Sequence, residues 1–206
     1  MSFQDVPDPG NHRRAQKGDH VNFPNWYLKL EDWCWRHRIV ATAPVVLLLL
    51  ILAEPTETTL IAGFLVVVAG EAGRFWASGH IDKNADLATS GPYRLTRNPL
   101  YFFNLIIFLG YCIQAANPIA AIVGLAAFTV IYRPCLHNEA AYMEKLFGEK
   151  YREWASAVPL FWPRPTGWQS EGTWQWALVV QHREPRSALA ILGGCALFAA
   201  IGYLRS

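Results

Sequence analysis

Long apolar runs separated by short polar connections constrain this chain more than any other feature. Runs of near-membrane length occupy residues 39–53, 59–76, 100–116, 119–136 and 187–204. In lipid, every backbone polar group has to be paired within the protein, so such runs span as helices. Hydrophobic residues make up 52% of the chain, which also carries nine Trp. The pattern predicts an all-α, multi-pass transmembrane helical bundle with about five spans.

The remaining residues predict a polar tail and one membrane domain. Residues 1–23 are polar, and residues 24–37 carry Trp26 and Trp33 at helical spacing. This second segment is expected to be an amphipathic helix at the membrane interface. Residues 24–206 are then interpreted as a single domain. No basic start followed by a short apolar run is present, so we expect no cleaved signal peptide.

The distribution of basic residues predicts the orientation. All of the 18 Lys and Arg residues except Arg205 fall on one side of the predicted spans, and the six His fall there as well. The positive-inside rule makes this side cytoplasmic, together with the N-terminus. Any polar ligand site is therefore expected at the cytoplasmic mouth of the bundle.

Metal chemistry is not predicted. The cysteines are far apart in the chain, at Cys34, Cys112, Cys135 and Cys195. Without a CxxC pair or close Cys/His spacing, neither a zinc site nor a disulfide framework is expected. We also expect no nucleic-acid partner, and the oligomeric state stays open.

The loop before the third run concentrates polar and turn-forming residues. Gly91-Pro92 predicts a turn, and Asn98-Pro99 predicts extended backbone just before the helix. Irregular polar backbone at a membrane boundary is tolerated where it is buried in protein or lines a cavity. The loop is either a binding element or a helix entry anchored by its Tyr and Arg residues.

Two further groups of charged residues stand out. Glu71 and Arg74 are three residues apart in the second run, and an internal salt bridge is favoured over a functional site for them. Glu139 follows the fourth run on a helix that is expected to continue, and its carboxylate could pair with a ligand amine. Phe147-Gly148 predicts the end of that helix.

These features occur together in one order. Their sequence along the chain is Gly91-Pro92-Tyr93, Arg97-Asn98-Pro99-Leu100-Tyr101, a two-helix hairpin, Glu139, Phe147-Gly148, Tyr151 and Val158-Pro159. Over about residues 70–163, the chain resembles the isoprenylcysteine carboxyl methyltransferase family and its phospholipid-methyltransferase-like relatives.

The resemblance implies a cytoplasmic pocket for S-adenosyl-L-methionine. Glu139 corresponds to the first acid of the family's acidic pair, which holds the methionine amino group. The other residues implied to line the cofactor are Ala85, Asp86, Leu87, Ala88, Tyr93, Asn98, Pro99, Leu100 and Tyr101. Arg97 or Arg133 would orient an anionic substrate.

Three departures leave the methyl acceptor open. Asn98 stands where the carboxyl methyltransferases have His, and Ala140 replaces the second acid. Cys135 occupies the position of an arginine implicated in recognising the substrate carboxylate. The expected function is methyl transfer to a lipophilic or lipidated acceptor within membrane lipids, with a carboxylate favoured because it needs no base. The alternatives are N-methylation of an aminophospholipid, a sterol-type NADPH-dependent reductase and a non-enzymatic membrane protein.

Overall fold

The computed structural model describes residues 38–81 and 86–205, with side chains from Thr42 onward. All regular structure in these ranges is helical, which confirms the predicted all-α class. The elements are α1 (Arg38–Ile51), α2 (Glu57–Ser78), a short 3-10 helix (Gly91–Arg94), α3 (Pro99–Ala115), α4 (Pro118–Phe147), α5 (Glu149–Ala157), α6 (Trp176–Gln181) and α7 (Glu184–Arg205). The predicted tail, the interfacial helix at 24–37 and Ala85 lie outside the described residues.

Each of the five predicted spans forms a helix, but the helices differ in length. Three of the described helices, α2, α4 and α7, are long and apolar enough to cross a membrane, with mean hydropathies of 1.5, 1.9 and 2.0. The apolar helices Thr42–Ile51 and Pro99–Ala115 are shorter. With 17 residues, α3 reaches about 26 Å, slightly less than the hydrocarbon thickness.

Glycines bring α2 and α3 into close backbone contact. A Cβ atom on Gly63 would lie 2.5 Å from the carbonyl oxygen of Gly110, and one on Gly110 would lie 2.6 Å from Val67. Small residues allow such approach in membranes, where van der Waals packing replaces much of the hydrophobic driving force. The buried core beside this hairpin takes large side chains from five helices, among them Leu49, Val67, Phe108, Phe128 and Phe198.

Helix α7 packs against α3 through a few polar and small-residue contacts. The Tyr111 hydroxyl donates to the Ile191 carbonyl at 2.8 Å, and the Gln114 amide donates to the Cys195 sulfur at 3.3 Å. Gly194 allows a close approach of the two helices, because an added Cβ there would lie 2.6 Å from the Tyr111 hydroxyl.

The fifth predicted span begins three residues earlier than its apolar run indicated. Arg183 adopts a left-handed conformation with φ of 58°, and its carbonyl accepts the Arg186 and Ser187 N–H groups at 3.0 and 3.2 Å. Helix α7 therefore starts at Glu184, and a polar first turn precedes its apolar part.

The predicted pair of Glu71 and Arg74 is present as part of a larger buried cluster. Arg74 Nε lies 3.4 Å from Glu71 Oε2, whereas Arg74 Nη2 lies 2.7 Å from Glu184 Oε2 on α7. Arg74 also donates to the Asn104 side chain on α3. Both Glu71 oxygens are buried without a hydrogen bond. The cluster thus ties three helices together with two carboxylates around one guanidinium.

Candidate functional site

A tight turn opens the loop that carries the sequence signature. Gly91 has φ of 56°, and a Cβ there would lie 2.4 Å from the ring of His80. Only glycine combines this conformation with this close approach at little cost, and Pro92 follows it in the first turn of the 3-10 helix. Ser90 Oγ is 3.0 Å from His80 Nδ1, while partial burial lowers the pKa of His80 from its ordinary value of 6.5.

The two separated parts of the signature meet in space. We call residues 158–168, which follow α5, the strap. Its Pro159 carbonyl accepts the Arg97 backbone N–H at 2.9 Å, and its Leu160 carbonyl accepts the Asn98 side-chain amide at 2.9 Å. The two motifs, which are distant in the chain, are therefore joined by direct hydrogen bonds.

More bonds continue this junction along the strap. Thr96 Oγ1 donates to the Phe161 carbonyl at 2.8 Å. Thr166 Oγ1 donates to the Arg94 carbonyl at 2.7 Å, and Arg94 Nε donates to the Trp168 carbonyl at 3.1 Å. Asn98, a predicted ligand contact, thus has its amide engaged with the strap and is 8% exposed.

Beneath the loop lies a buried aromatic cluster, which we call the Tyr93 cluster. Its buried members come from the end of α2, the loop, α5 and the strap: Ala77, Leu87, Tyr93, Tyr151, Trp154 and Val158. One face of the C-terminal part of α4 packs against the cluster through Ala140, Met143 and Phe147. The end of that helix at Gly148, with φ of 55°, is where Phe147-Gly148 predicted it.

Several buried donors in and beside this cluster have no hydrogen-bond partner among residues 38–81 and 86–205. They are the Tyr93 hydroxyl, the Trp154 and Trp168 indole N–H groups and Arg97 Nε. Burying a donor without a hydrogen bond costs about 1–3 kcal/mol, so each such group in a native fold calls for an explanation, of which a ligand is one. The four groups come from the loop, α5 and the strap, and a polar ligand bound in this region would satisfy them.

Glu139 supplies an acceptor beside these donors. Its carboxylate is partly buried, and it forms no hydrogen bond or ion pair within the described parts of the chain. Burial raises the pKa of Tyr93, and the charge of Glu139 raises it further. Glu139 also raises the pKa of Tyr151, to a lesser extent than burial does. Its carboxylate is therefore within electrostatic reach of both tyrosines.

Arg97 is held at the edge of the same cluster. Its Nη1 donates to the Tyr151 hydroxyl at 3.0 Å, and its guanidinium carbon lies 5.8 Å from the centre of the Tyr151 ring. This cation opposes the effect of burial on the pKa of Tyr151. Arg133 is exposed on α4 and, six residues before Glu139, points about 120° away from it around the helix.

The predicted cofactor residues divide between two places. Leu87 is 4% exposed, and Ala88 and Leu100 pack against the Tyr93 cluster. Tyr101 instead lies in a separate buried group with Cys135 and Leu136. Since consecutive helical residues point about 100° apart, Leu100 and Tyr101 cannot both face Tyr93. Pro99 is buried at the helix start.

Asp86 lies on the outer side of the loop. It is exposed and pairs with Lys150 of α5 at 2.5 Å, while accepting the Leu87 N–H at 2.8 Å. The hydrogen bond from Lys150, followed by that from Leu87, lowers the pKa of Asp86. In this arrangement the carboxylate fastens the loop to α5.

Trp154, Trp168 and Glu184 were not singled out by the sequence. Nothing in the residues around the two tryptophans distinguishes them from interface anchors, and Glu184 is flanked by arginines that could have paired with it. Two surface cavities of about 310 and 260 Å³ lie elsewhere. The first is lined by Val180, Gln181, Arg183, Pro185 and Arg186, and the second by Arg94 and residues 169–171. Neither includes Tyr93 or Glu139 in its lining.

Comparison with known proteins places this arrangement in a family. The profile described as phospholipid methyltransferase matches residues 59–150. Cobalt-zinc-cadmium resistance protein CzcN of Cupriavidus metallidurans is 35% identical over 54% of this chain and 52% of its own length. Nickel-cobalt-cadmium resistance protein NccN of Alcaligenes xylosoxydans xylosoxydans is 30% identical over 70% of this chain and 73% of its own length.

A methyltransferase with a named reaction is also among the relatives. Protein-S-isoprenylcysteine O-methyltransferase B of Arabidopsis thaliana is 28% identical over 46% of this chain and 48% of its own length. No solved structure matches the chain significantly. The chain therefore belongs to the family of membrane methyltransferases that includes the phospholipid methyltransferases and the protein-S-isoprenylcysteine O-methyltransferases.

Proposed function

We propose that this protein is an S-adenosylmethionine-dependent methyltransferase that acts on a lipophilic acceptor at the cytoplasmic side of the membrane. The observation that carries the proposal is the set of unpartnered donors around Tyr93 beside the unpaired carboxylate of Glu139. A zwitterionic amino-acid moiety needs both kinds of partner, an acceptor for its ammonium and donors for its carboxylate.

The residues present fit this cofactor. Glu139 would accept hydrogen bonds from the methionine ammonium, and the Tyr93 hydroxyl and Trp154 indole would donate to its carboxylate or ribose. The segment of Leu87 and Ala88 has apolar side chains and would pack against the adenine. Tyr93 stays protonated as a donor, because burial holds its pKa above the ordinary range.

The protein's part in the reaction is positioning and exclusion of water. When bound, S-adenosylmethionine supplies a methyl group on a sulfonium, which is reactive towards a nucleophile without covalent help from the protein. A carboxylate acceptor needs no base, and the methyl ester forms as the carbon–sulfur bond breaks. Arg97, with its Nε unpartnered and Nη1 fixed on Tyr151, would hold such a carboxylate in line.

N-methylation of an aminophospholipid is a second candidate, favoured by one observation. Glu71 and Glu184 place two carboxylates around the single guanidinium of Arg74 in the membrane, an environment suited to a cationic headgroup. Incubating the protein with a labelled methyl donor and either a prenylcysteine or lipid extract separates the two reactions. A labelled methyl ester is expected, whereas a labelled aminolipid would establish N-methylation.

Isothermal titration calorimetry on the purified protein in detergent measures its affinity for the cofactor. We expect saturable binding of S-adenosylmethionine and a loss of affinity of about tenfold or more in Glu139→Gln, since hydrogen bonds to a charged group contribute about 1.5–3 kcal/mol. Glu153→Gln is the matched control, because Glu153 is exposed on α5. The absence of saturable binding, or equal affinities in the two variants, would refute the proposed site.

A further inference from the structure

The corner between α6 and α7 forms a small basic cavity away from the Tyr93 cluster. The cavity has a volume of about 310 Å³ and is lined by Val180, Gln181, Arg183, Pro185 and Arg186. The two arginines are exposed. Within the described residues, neither forms an ion pair with a carboxylate.

Tertiary structure removes the carboxylate that would otherwise neutralise this corner. In the sequence, Glu184 lies between the two arginines and could pair with either. In the fold, Glu184 is 5% exposed and points inward to Arg74, with a separation of 2.7 Å. The cavity therefore keeps two uncompensated positive charges.

The backbone fixes this arrangement. Arg183 is one of two non-glycine residues with positive φ in the described chain, a conformation that is uncommon for residues with a side chain. Its carbonyl accepts the N–H groups of Arg186 and Ser187 at 3.0 and 3.2 Å. Arg183 is thus locked to the first turn of α7, with Arg186 three residues away along the cavity.

The cavity lies at the start of a membrane-length helix. The apolar part of α7 follows directly, with a mean hydropathy of 2.0. Val180 and Leu189, on either side of the corner, are 52% and 71% exposed. The two guanidinium groups thus lie at the polar end of a membrane-length helix, beside exposed apolar side chains. Such an arrangement suits a lipid, whose phosphate would meet the guanidinium groups and whose acyl chains would meet the apolar surface.

We propose that Arg183 and Arg186 form a binding site for the phosphate of an anionic phospholipid. Arginine suits this ligand because its planar fork can donate two hydrogen bonds to one phosphate. This site is independent of the cofactor pocket and would anchor the corner between α6 and α7 to the cytoplasmic leaflet.

The test measures the affinity of the full-length protein, in detergent, for fluorescent phosphatidylglycerol. Arg183→Gly removes a guanidinium while suiting the positive φ, and Arg186→Gln removes the other. We expect about fivefold weaker binding in each variant and about thirtyfold weaker binding in the double variant, since each basic residue contributes about 1 kcal/mol. Arg164→Gln, an exposed residue on the strap, should bind as the wild type does.

Competition identifies the source of the phosphate. Unlabelled phosphatidylglycerol should displace the probe, whereas phosphatidylcholine and inorganic phosphate should displace it poorly. Equal competition by inorganic phosphate would overturn the lipid assignment. Unchanged affinity in the double variant, or an equal loss in Arg164→Gln, would overturn the site. The thermal unfolding midpoint of each variant shows whether it is folded.

Discussion

The α2–α3–α7 junction and the Tyr93 cluster treat buried polar groups in opposite ways. At the junction, the Tyr111 hydroxyl and the Gln114 amide both donate to α7, and the exceptions among the described residues are the Glu71 oxygens and Arg74 Nε, which form no hydrogen bond. Around Tyr93, hydroxyl, indole and guanidinium donors have no hydrogen-bond partner among the described residues, although hydrogen bonds join the backbone of the loop to the strap. Folding alone thus pairs several polar groups of the junction, whereas the donors of the cluster are those that the proposed cofactor would satisfy.

Breaking the junction should have the largest effect. Removing one partner of a buried ion pair costs about 3–5 kcal/mol because the other charge stays buried, so we expect Glu184→Ala to lower the free energy of unfolding by about 3 kcal/mol. Unfolding in mixed detergent micelles measures it, and Glu171→Ala, at an exposed position, is the control. A folded Glu184→Ala protein that no longer binds S-adenosylmethionine would break the comparison, since α7 would then belong to the site.

The glycine contact between α2 and α3 gives the next effect. Gly63→Val forces atoms into the backbone of α3 and should lower the unfolding free energy by about 2 kcal/mol, within the range for overpacked cores. Gly193→Val adds the same side chain where a Cβ meets nothing within 4 Å. Unfolding in mixed detergent micelles measures both variants. If they unfold at the same fraction of denaturing detergent, close packing does not stabilise the α2–α3 hairpin.

Two tyrosine substitutions sharpen the comparison because they should change the free energy of unfolding in opposite directions. Tyr93→Phe removes an unpartnered hydroxyl and should stabilise the ligand-free protein by about 1 kcal/mol while weakening cofactor binding. Tyr111→Phe removes a satisfied hydroxyl and should destabilise the protein by about 0.6 kcal/mol, leaving cofactor binding unchanged. Unfolding and titration of both variants measure this, and destabilisation by Tyr93→Phe would show that its hydroxyl already has a partner.

The smallest expected effect is a pH dependence from His80. Burial lowers its pKa below 6.5, so below that pH the unfolded chain takes up a proton that the folded chain resists. The contribution of His80 to the free energy of unfolding should be constant above pH 6.5 and should fall as the pH decreases through that value towards the folded pKa. The thermal midpoint against pH should show a shallower slope in His80→Gln, and identical slopes would exclude His80 as the cause.

Local sequence signals predicted several local conformations correctly. Gly91 in the Gly-Pro turn and Gly148 in the helix-ending Phe-Gly pair both have positive φ, as the sequence indicates, because few other residues adopt these conformations. Glu139 lies on a continuing helix, since nothing after residue 136 ends the helical pattern. Leu100 and Tyr101, which are adjacent in the motif, pack in two different groups of residues in the structure, because a linear motif does not show which face of a helix meets a neighbour.

The sequence by itself determined the helical membrane architecture, since apolar length and turn chemistry act locally and lipid permits few alternatives to helices. Tertiary structure alone decided which polar groups are satisfied. It turned Glu184 away from its neighbouring arginines towards Arg74, and it gathered Trp154, Trp168 and Tyr93 without hydrogen-bond partners. Hydrogen-bond satisfaction depends on which groups from distant segments come within 3 Å or so, and no local pattern encodes that.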